Sequence, residues 1–274
     1  SSFWGLILAP QLQFGRQQPR LIEATGEYYP PARPGVATEG ADVYRSLGCA
    51  ECHTRQVRQT GVHFDVWATE LTTNLTAAST AVSKVLSVTE ADANTHLSKL
   101  PSRLKGGLTV SAAQSLAKQL TEAGAKSEAV LVTLGPDIDR QWGRRMSVAL
   151  DYVRDYPVQL GNLRLGPDLA NFGARQPAAT AGLVLKHLYD PGLTMPGSIM
   201  PSYPFLFDRR SYAAGEALPP DSVTLKPATP DLPGDVLIPK ADARALLAYL
   251  LSLKAETSLF EAPVGQTPAP APAP

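Results

Sequence analysis

The stretch Val43-Tyr-Arg-Ser-Leu-Gly-Cys-Ala-Glu-Cys-His53 decides how this chain is interpreted. Its first part belongs to a short predicted helix that begins near Thr38 or Glu39 and carries one apolar face. That face consists of Val43, Tyr44 and Leu47. The helix leads directly into two cysteines that are separated by two residues and followed at once by a histidine. The fold and the chemistry are therefore both predicted outward from this cluster.

Cys49, Cys52 and His53 form the Cys-x-x-Cys-His pattern that attaches haem covalently to proteins. Two thioether bonds hold the porphyrin, and His53 is then placed beneath the iron as an axial ligand. The sequence predicts one covalently bound haem c. Because such haem is attached outside the cytoplasmic membrane, the motif also predicts an exported protein.

Three other interpretations of the motif compete with haem attachment. A redox dithiol would need a strand before the cysteines within a βαβ unit, whereas the approach predicted here is helical. A zinc site would have to use the adjacent Cys52 and His53 on one tetrahedral ion, with Cys49 and His63 as the other ligands. A chance pair of buried thiols is the third. The histidine after the second cysteine favours haem over all of them.

A second axial ligand is needed, and methionine is one that raises the potential of a c-type haem. Met146 lies in a helix-like context and is interpreted as packing, whereas Met195 and Met200 each precede a proline in a downstream loop. The other candidates, for which a structural role is the simpler interpretation, are His63, His96 and His187.

Composition limits the remaining function classes. The 274 residues include 25 basic and 25 acidic side chains, so the formal net charge is zero and no nucleic-acid partner is indicated. Apolar residues make up 44% of the chain, which is enough for a packed core. The motif uses both cysteines, so no other disulfide can form within the chain.

Several segments resemble the monohaem cytochrome c subunit, subunit II, of cbb3-type cytochrome c oxidases. One is the haem segment, residues 40–58. The others follow in the order and spacing of that family: Arg164-Leu-Gly-Pro-Asp-Leu-Ala-Asn-Phe-Gly-Ala-Arg175, His187-Leu-Tyr-Asp-Pro191 and Ser198-Ile-Met-Pro-Ser-Tyr-Pro-Phe205. The resemblance covers roughly residues 40–61 and 141–207, together with the N-terminal apolar run.

The resemblance implies a haem held by Cys49 and Cys52, with His53 and Met200 as the axial ligands of the iron. It also implies that the backbone carbonyl of Pro167 accepts a hydrogen bond from the second ring nitrogen of His53. Tyr203 follows Met200 in the matching segment and is implied as a haem contact. Three arginines would suit the haem propionates, with a surface ion pair as the alternative for each: Arg58, Arg164 and Arg175.

The predicted fold is mostly α: a class I cytochrome c-like domain with a helical insertion and a Pro-rich loop. In the insertion, apolar spacings of three and four from Trp67 to Val85 and from Val110 to Leu120 predict helices, and 127–134 is a possible third. Residues 205–239 are rich in proline and are expected to be mostly loop. A strong helix is predicted over 240–254.

Five parts are predicted along the chain. The N-terminal apolar run offers about half of the 20 apolar residues that a spanning helix needs. We interpret it as the end of a membrane anchor, and a buried segment is the alternative. The parts are this anchor end (1–16), an extended linker (17–37), the cytochrome c domain (38–61 and 141–256), the helical insertion (62–140) and an Ala/Pro-rich tail (257–274).

The predicted function is electron transfer without bond chemistry. By resemblance, the chain takes electrons from a donor cytochrome and passes them to the haem-copper catalytic subunit of a cbb3-type oxidase, alongside other cytochrome c subunits. It would work at the periplasmic face of the bacterial cytoplasmic membrane, anchored by its N-terminus, without nucleic acid or a small-molecule substrate. The alternatives are a free-standing periplasmic carrier, the electron-input subunit of another complex such as a nitric-oxide reductase, and an enzyme with an open iron position.

Overall fold

The computed structural model describes residues 2–13, 17–176, 180–265 and 268. The chain divides into two compact units. The first unit consists of Ser1–Val57 and Gln141–Thr257, and the second of Arg58–Arg140 and Ser258–Pro274. Parts of two predicted segments lie outside the described residues: 1 and 14–16 of the anchor, and 266–267 and 269–274 of the tail.

Each of the two units contains both helices and strands. In chain order the described helices are α1 (Ala9–Gln13, directly after the helical stretch Trp4–Leu8), α2 (Gly35–Ser46), α3 (Leu75–Leu86), α4 (Glu90–Leu97), α5 (Val110–Glu122), α6 (Pro136–Asp139), α7 (Phe172–Arg175), α8 (Ala181–Tyr189) and α9 (Ala241–Ser252). The described strands are β1 (Arg20–Ile22), β2 (Glu27–Tyr29), β3 (Gly61–Leu71), β4 (Ser102–Leu108), β5 (Ala125–Leu134), β6 (Phe207–Tyr212), β7 (Val223–Lys226) and β8 (Gly234–Pro239).

The first unit is organised around the crossing of α2 and α9. A Cβ atom on Gly40 would lie 1.9 Å from the carbonyl oxygen of Ala245, so the two backbones touch where Gly40 has no side chain. One turn further along, the rings of Tyr44 and Tyr249 pack with their centroids 5.2 Å apart. Leucines and valines of α8 and α9 complete the core around this crossing. This crossing lies directly before the cysteine motif, at the end of α2.

Two small sheets flank the helices of the first unit. Strands β1 and β2 form an antiparallel hairpin that runs into the buried Tyr29. Strands β6, β7 and β8 form a second antiparallel sheet in the order β6-β8-β7, and β8 is buried along most of its length. Val236 and Leu237 of β8 are fully buried, and Leu237 packs in the same core as α9.

The second unit has its own sheet and its own core. Strand β3 is the central strand of an antiparallel sheet in the order β4-β3-β5. Helices α3, α4 and α5 each begin at a residue whose side chain accepts a hydrogen bond from the first turn, namely Asn74, Thr89 and Thr109. Alternate residues of β3, such as Val66 and Ala68, pack with these helices in one apolar cluster.

The prediction of a mostly α, class I cytochrome c fold is wrong. The structure is about 38% helical and 20% strand, and its described residues form three antiparallel sheets. The sheet of β3, β4 and β5 lies where the sequence predicted a helical insertion, and the sheet of β6, β7 and β8 lies where it predicted a Pro-rich loop. In 205–239, the prolines of the turns obscured the short strands β6, β7 and β8 between them.

The insertion is mixed rather than helical because three of its segments, β3, β4 and β5, are strands. Trp67 and Leu71 belong to β3, and only the later part of the predicted helix, from Leu75, is helical. A spacing of four residues fits a strand as well as a helix, and the apolar alternation within β3 runs through Val66 and Ala68 rather than through Trp67. The predicted third helix is strand β5, whose Ala-Val-Leu-Val run pairs with β3.

The N-terminal segment forms short helical turns over Trp4–Leu8 and Ala9–Gln13. Within the part of the chain that the structure describes, no helix combines the length and the apolar composition needed to cross a membrane.

Candidate functional site

The cysteines and the histidine of the motif lie in a tight turn directly after α2. The turn spans Cys49–Glu51, and the backbone N–H of His53 donates to the carbonyl of Cys49 at 3.0 Å. Both Cys49 and Cys52 are free, half-buried thiols. Burial raises the pKa of Cys49 to about 11, so this thiol is protonated at neutral pH. Two thiols and a following imidazole are thus presented together.

The His53 ring is held from one side by the segment 166–167. Its Nδ1 atom lies 2.8 Å from the backbone oxygen of Pro167, and because a carbonyl only accepts, Nδ1 carries the proton. A Cβ atom on Gly166 would lie 2.2 Å from Cε1 of His53, so only glycine permits this approach. The ring is oriented, and its Nε2 atom remains as the nitrogen with a free lone pair.

Backbone hydrogen bonds fasten the loop after the motif to the loop before α7. They run between residues 50–55 and residues 160–169, at 2.8 to 3.0 Å. Four pairs take part: Asn162 to Ala50, Gly166 to Cys52, Leu169 to Thr54, and Arg55 to Leu160, the first-named residue donating in each. The two loops therefore form one rigid wall that carries His53.

Asp168 holds these two loops together through its carboxylate. It was not singled out from the sequence. It is fully buried, and its carboxylate accepts from the Thr54 hydroxyl at 2.7 Å and from the backbone of Gln56 at 2.6 Å. Its other oxygen accepts from the Ala170 N–H at 2.9 Å. The signal in the sequence was an acidic residue inside the Gly-Pro-Asp-Leu segment, but Thr54 and Gln56 lie more than 100 positions away from it.

Two of the three predicted arginines meet at Asp168. The Arg164 guanidinium lies 3.8 Å from the Asp168 carboxylate, stacks on the Trp142 ring and donates to the carbonyl of Gln56. Arg175 donates to the backbone carbonyl of Asp168, and burial lowers the pKa of its guanidinium. Arg58 belongs to the second unit, where it is exposed and its backbone N–H donates to Asp137 at 2.8 Å.

Met200 and Tyr203 pack against the core of the first unit. Both are half-buried, and both contact the same apolar cluster as Cys49. Burial, and after it the thiols of Cys49 and Cys52, raise the pKa of the Tyr203 hydroxyl, which indicates that the tyrosine lies close to the motif. Met200, Tyr203 and the turn that contains Cys49 therefore all pack against the same apolar core.

The other methionines and histidines are placed differently. Met195 is 61% exposed, which separates it from the half-buried Met200 although both precede a proline. His63 and His96 lie in the second unit and contact Asp65 and Ser102. His187, on α8, lies near the motif: burial, followed by the charge on His53, lowers its pKa. The sequence offered His187 as a candidate ligand, with a structural role as the simpler interpretation.

The residues present fit a haem. Because Gly166 has no side chain, its loop can pack directly against the His53 ring, whose Nδ1 atom carries the proton. Nε2 is therefore the ring nitrogen available to a metal. Two free thiols in the preceding turn suit covalent attachment. An imidazole nitrogen and a methionine sulfur are together a donor pair that holds haem iron in cytochromes c.

Comparison with known protein families gives a match over part of the chain. Residues 131–218 match the family described as cytochrome c oxidase, mono-heme subunit/FixO. The matched segment is about a third of the chain and includes Pro167, His187 and Met200. The match confirms the resemblance to the monohaem subunit of cbb3-type oxidases. The comparison with curated proteins gave no significant match.

Proposed function

We propose that this relative of the monohaem subunit of cbb3-type cytochrome c oxidases carries one haem c on Cys49 and Cys52 and passes single electrons through it. His53 and Met200 would be the two protein ligands of its iron. The donor is another cytochrome, and the acceptor is the haem-copper catalytic subunit of the oxidase. The family match supports the subunit assignment.

The single observation that carries the haem proposal is the hydrogen bond from His53 Nδ1 to Pro167. It fixes the tautomer and the orientation of the imidazole, and it makes Nε2 a better electron donor to a metal. The rigid wall around Asp168 keeps Pro167 in place, because the hydrogen bonds from Thr54 and Gln56 to Asp168 join the two loops. A ligand held in this way needs little rearrangement when the charge on its metal changes.

The haem supplies reversible one-electron chemistry, and the protein tunes it. The chain's own contributions are the two thiols, the imidazole, the thioether of Met200 and positive charge. Arg164 and Arg175 supply that charge, and both already contact Asp168. A guanidinium fork pairs well with a carboxylate, so these two arginines are the propionate partners that we propose. Arg58 remains the third candidate.

The ligand assignment is tested by comparing Met200→Ala with Met195→Ala in the full, haem-loaded chain. The two methionines share the Met-Pro pattern, but only Met200 is packed against the core that contacts Cys49. We expect Met200→Ala to change the oxidised and reduced absorption spectra and to lower the midpoint potential. Met195→Ala should leave both unchanged. Unchanged spectra in Met200→Ala would remove Met200 as a ligand.

The oxidase assignment is tested by mild affinity purification of the chain from its native membrane. The eluate is analysed for haem types, copper and oxygen uptake. Haem c together with haem b, copper and oxygen consumption is the expected result. Haem c alone, without companion polypeptides, would indicate a separate electron carrier and contradict the subunit role.

N-terminal anchoring at the periplasmic face is part of the proposal and has its own test. The support is the family, whose members work in a membrane-associated complex, and the exposure of Phe3, Trp4 and Leu6 in the N-terminal segment. Removing residues 1–16 should release the protein from the membrane fraction if that segment anchors it. Retention of the shortened chain in membranes that lack the oxidase would contradict anchoring by this segment.

A further inference from the structure

The loop that carries Met200 is fastened to α8 at both of its ends. At the far end, the backbone N–H of Tyr203 donates to the carbonyl of Leu188 at 2.9 Å. This carbonyl belongs to the last turn of α8, whose oxygens have no partner within the helix. At the near end, Nδ1 of His187 lies 2.5 Å from the hydroxyl oxygen of Thr194. Two consecutive residues of one helix thus hold the loop on either side of Met200.

The contacts of Thr194 determine how His187 must be protonated. The Thr194 hydroxyl has one proton, and it lies 3.2 Å from the carbonyl of Pro191, which can only accept. Both contacts are satisfied together when Thr194 donates to Pro191 and His187 donates from Nδ1 to Thr194. A neutral imidazole with its proton on Nδ1 meets this requirement. Burial lowers the pKa of His187 and so favours the neutral form.

A chain of hydrogen bonds connects Thr194 to Met200. The Pro191 carbonyl also accepts from the Met195 N–H at 2.9 Å, and the Met195 carbonyl accepts from the Ser198 N–H at 3.1 Å. The Ser198 hydroxyl then accepts from the Met200 N–H at 3.3 Å. Each bond fixes the next turn of the loop, so a shift at Thr194 is passed on to the backbone of Met200.

We propose that His187, acting through Thr194, is a positioning residue that keeps Met200 on the haem iron. The inference rests on the proposed function, because it takes Met200 as the ligand. His187 does not bind the iron; it restrains the loop, so that the sulfur is already near its bonding position. Loss of the restraint makes the sulfur easier to displace without removing it.

Imidazole is the probe, since it competes with methionine for ferric haem and reports how readily the sulfur leaves. The proteins are full-length, haem-loaded His187→Ala and Thr194→Val, the double variant, and Thr194→Ser. We expect His187→Ala and Thr194→Val each to raise the affinity for imidazole about five-fold, which corresponds to the free energy of one hydrogen bond. The double variant should match Thr194→Val, because that substitution has already removed the bond that His187→Ala removes. Thr194→Ser keeps the hydroxyl and should behave as the unchanged protein.

A matched control is His96→Ala. His96 makes the same kind of contact, with Nδ1 lying 3.2 Å from the Ser102 hydroxyl, but it belongs to the second unit. Its removal should leave imidazole affinity unchanged. Affinities within two-fold of the unchanged protein in His187→Ala and Thr194→Val, or strictly additive effects in the double variant, would overturn the positioning role.

Two further outcomes separate this proposal from the function on which it rests. A low-spin spectrum that is lost in His187→Ala but kept in Met200→Ala would make His187 the ligand and overturn the proposal. Absence of any spectral change in Met200→Ala, with His187→Ala also unchanged, would contradict the proposed ligand pair itself. A change in Met200→Ala with no change of imidazole affinity in His187→Ala would leave the ligand pair standing and overturn only the positioning role.

Discussion

Gly166 stands so close to His53 that a Cβ atom at this position would lie 2.2 Å from the imidazole Cε1. A contact of that length cannot exist, so any side chain at 166 must push the ring away from Pro167. The hydrogen bond from Nδ1 to the Pro167 carbonyl would then be broken. The orientation of the proposed haem ligand thus depends on a residue that has no side chain.

Gly166→Ala should therefore impair the haem site. We expect less covalently bound haem per chain, or an altered absorption spectrum, measured on purified protein after equal expression. The control is Gly182→Ala, because a Cβ atom on Gly182 meets nothing within 4 Å. A normal haem content and spectrum in Gly166→Ala would show that the contact between the ring and this loop is not needed.

The crossing of α2 and α9 predicts a difference between two glycines of the same helix. Gly40→Ala would place a Cβ atom 1.9 Å from the carbonyl oxygen of Ala245, whereas a Cβ atom on Gly35 meets nothing within 4 Å. We expect Gly40→Ala to lower the free energy of unfolding by about 1–3 kcal/mol, as overpacking does, and Gly35→Ala to leave it nearly unchanged. Thermal unfolding of the two variants measures this. Equal melting temperatures would mean that α2 and α9 can move apart without a loss of stability.

The buried pair Arg145 and Asp151 predicts a large cost for removing one charge. The Asp151 carboxylate accepts from the Arg145 guanidinium at 2.8 and 3.1 Å and from the Tyr29 hydroxyl at 2.7 Å. Arg145 is only 1% exposed, so Asp151→Asn leaves a buried positive charge without its counter-ion. We expect a loss of about 3–5 kcal/mol in the free energy of unfolding.

The exposed pair Arg45 and Asp42 supplies the comparison. Its atoms are 2.9 Å apart, but the Asp42 side chain is 69% exposed. Water and salt screen such a pair, and Asp42→Asn should cost less than about 1 kcal/mol. Denaturant unfolding of both variants gives the two values. A cost for Asp151→Asn as small as that for Asp42→Asn would indicate that solvent reaches the Arg145 side chain.

The local features of the first unit were accessible from the sequence. The apolar face with Tyr44 predicted a helix where α2 lies, and the leucine-rich stretch after Pro239 predicted α9. Both signals repeat every three or four residues, within one helix. The glycine in α2 that permits their crossing gave no signal of its own, because its partner, Ala245, is 205 positions away.

The parts that sequence reasoning missed depend on distant partners. Strand β3 has Trp67 and Leu71 four residues apart, a spacing that suits a helix, and only its pairing with β4 and β5 decides for a strand. Nothing in the sequence distinguished Asp168 from other acidic residues, because Thr54 and Gln56 approach it only in the folded chain. A periodic pattern carries no information about contacts of this range.

The sheet of the second unit begins and ends at residues that are hydrogen-bonded to each other, so we predict that a short loop can replace it. The backbone N–H of Thr60, just before β3, donates to the carbonyl of Leu134, the last residue of β5, at 2.8 Å. An Asn-Gly loop joining Thr60 to Leu134 keeps that bond as a two-residue hairpin and replaces residues 61–133. Residues 258–274 belong to the same unit, so the shortened chain ends at Thr257.

We expect this shortened chain to fold and to bind haem with an unchanged spectrum, because the core with Tyr44 and Tyr249 lies wholly in the first unit. Haem content, spectrum and thermal unfolding measure that outcome. Co-purification with the oxidase then tests what the second unit does. Its size suggests a contact with another subunit, in which case the shortened chain binds haem but is lost from the complex. Normal assembly and normal electron transfer would exclude that role, and loss of haem binding would show that the first unit does not fold without the second.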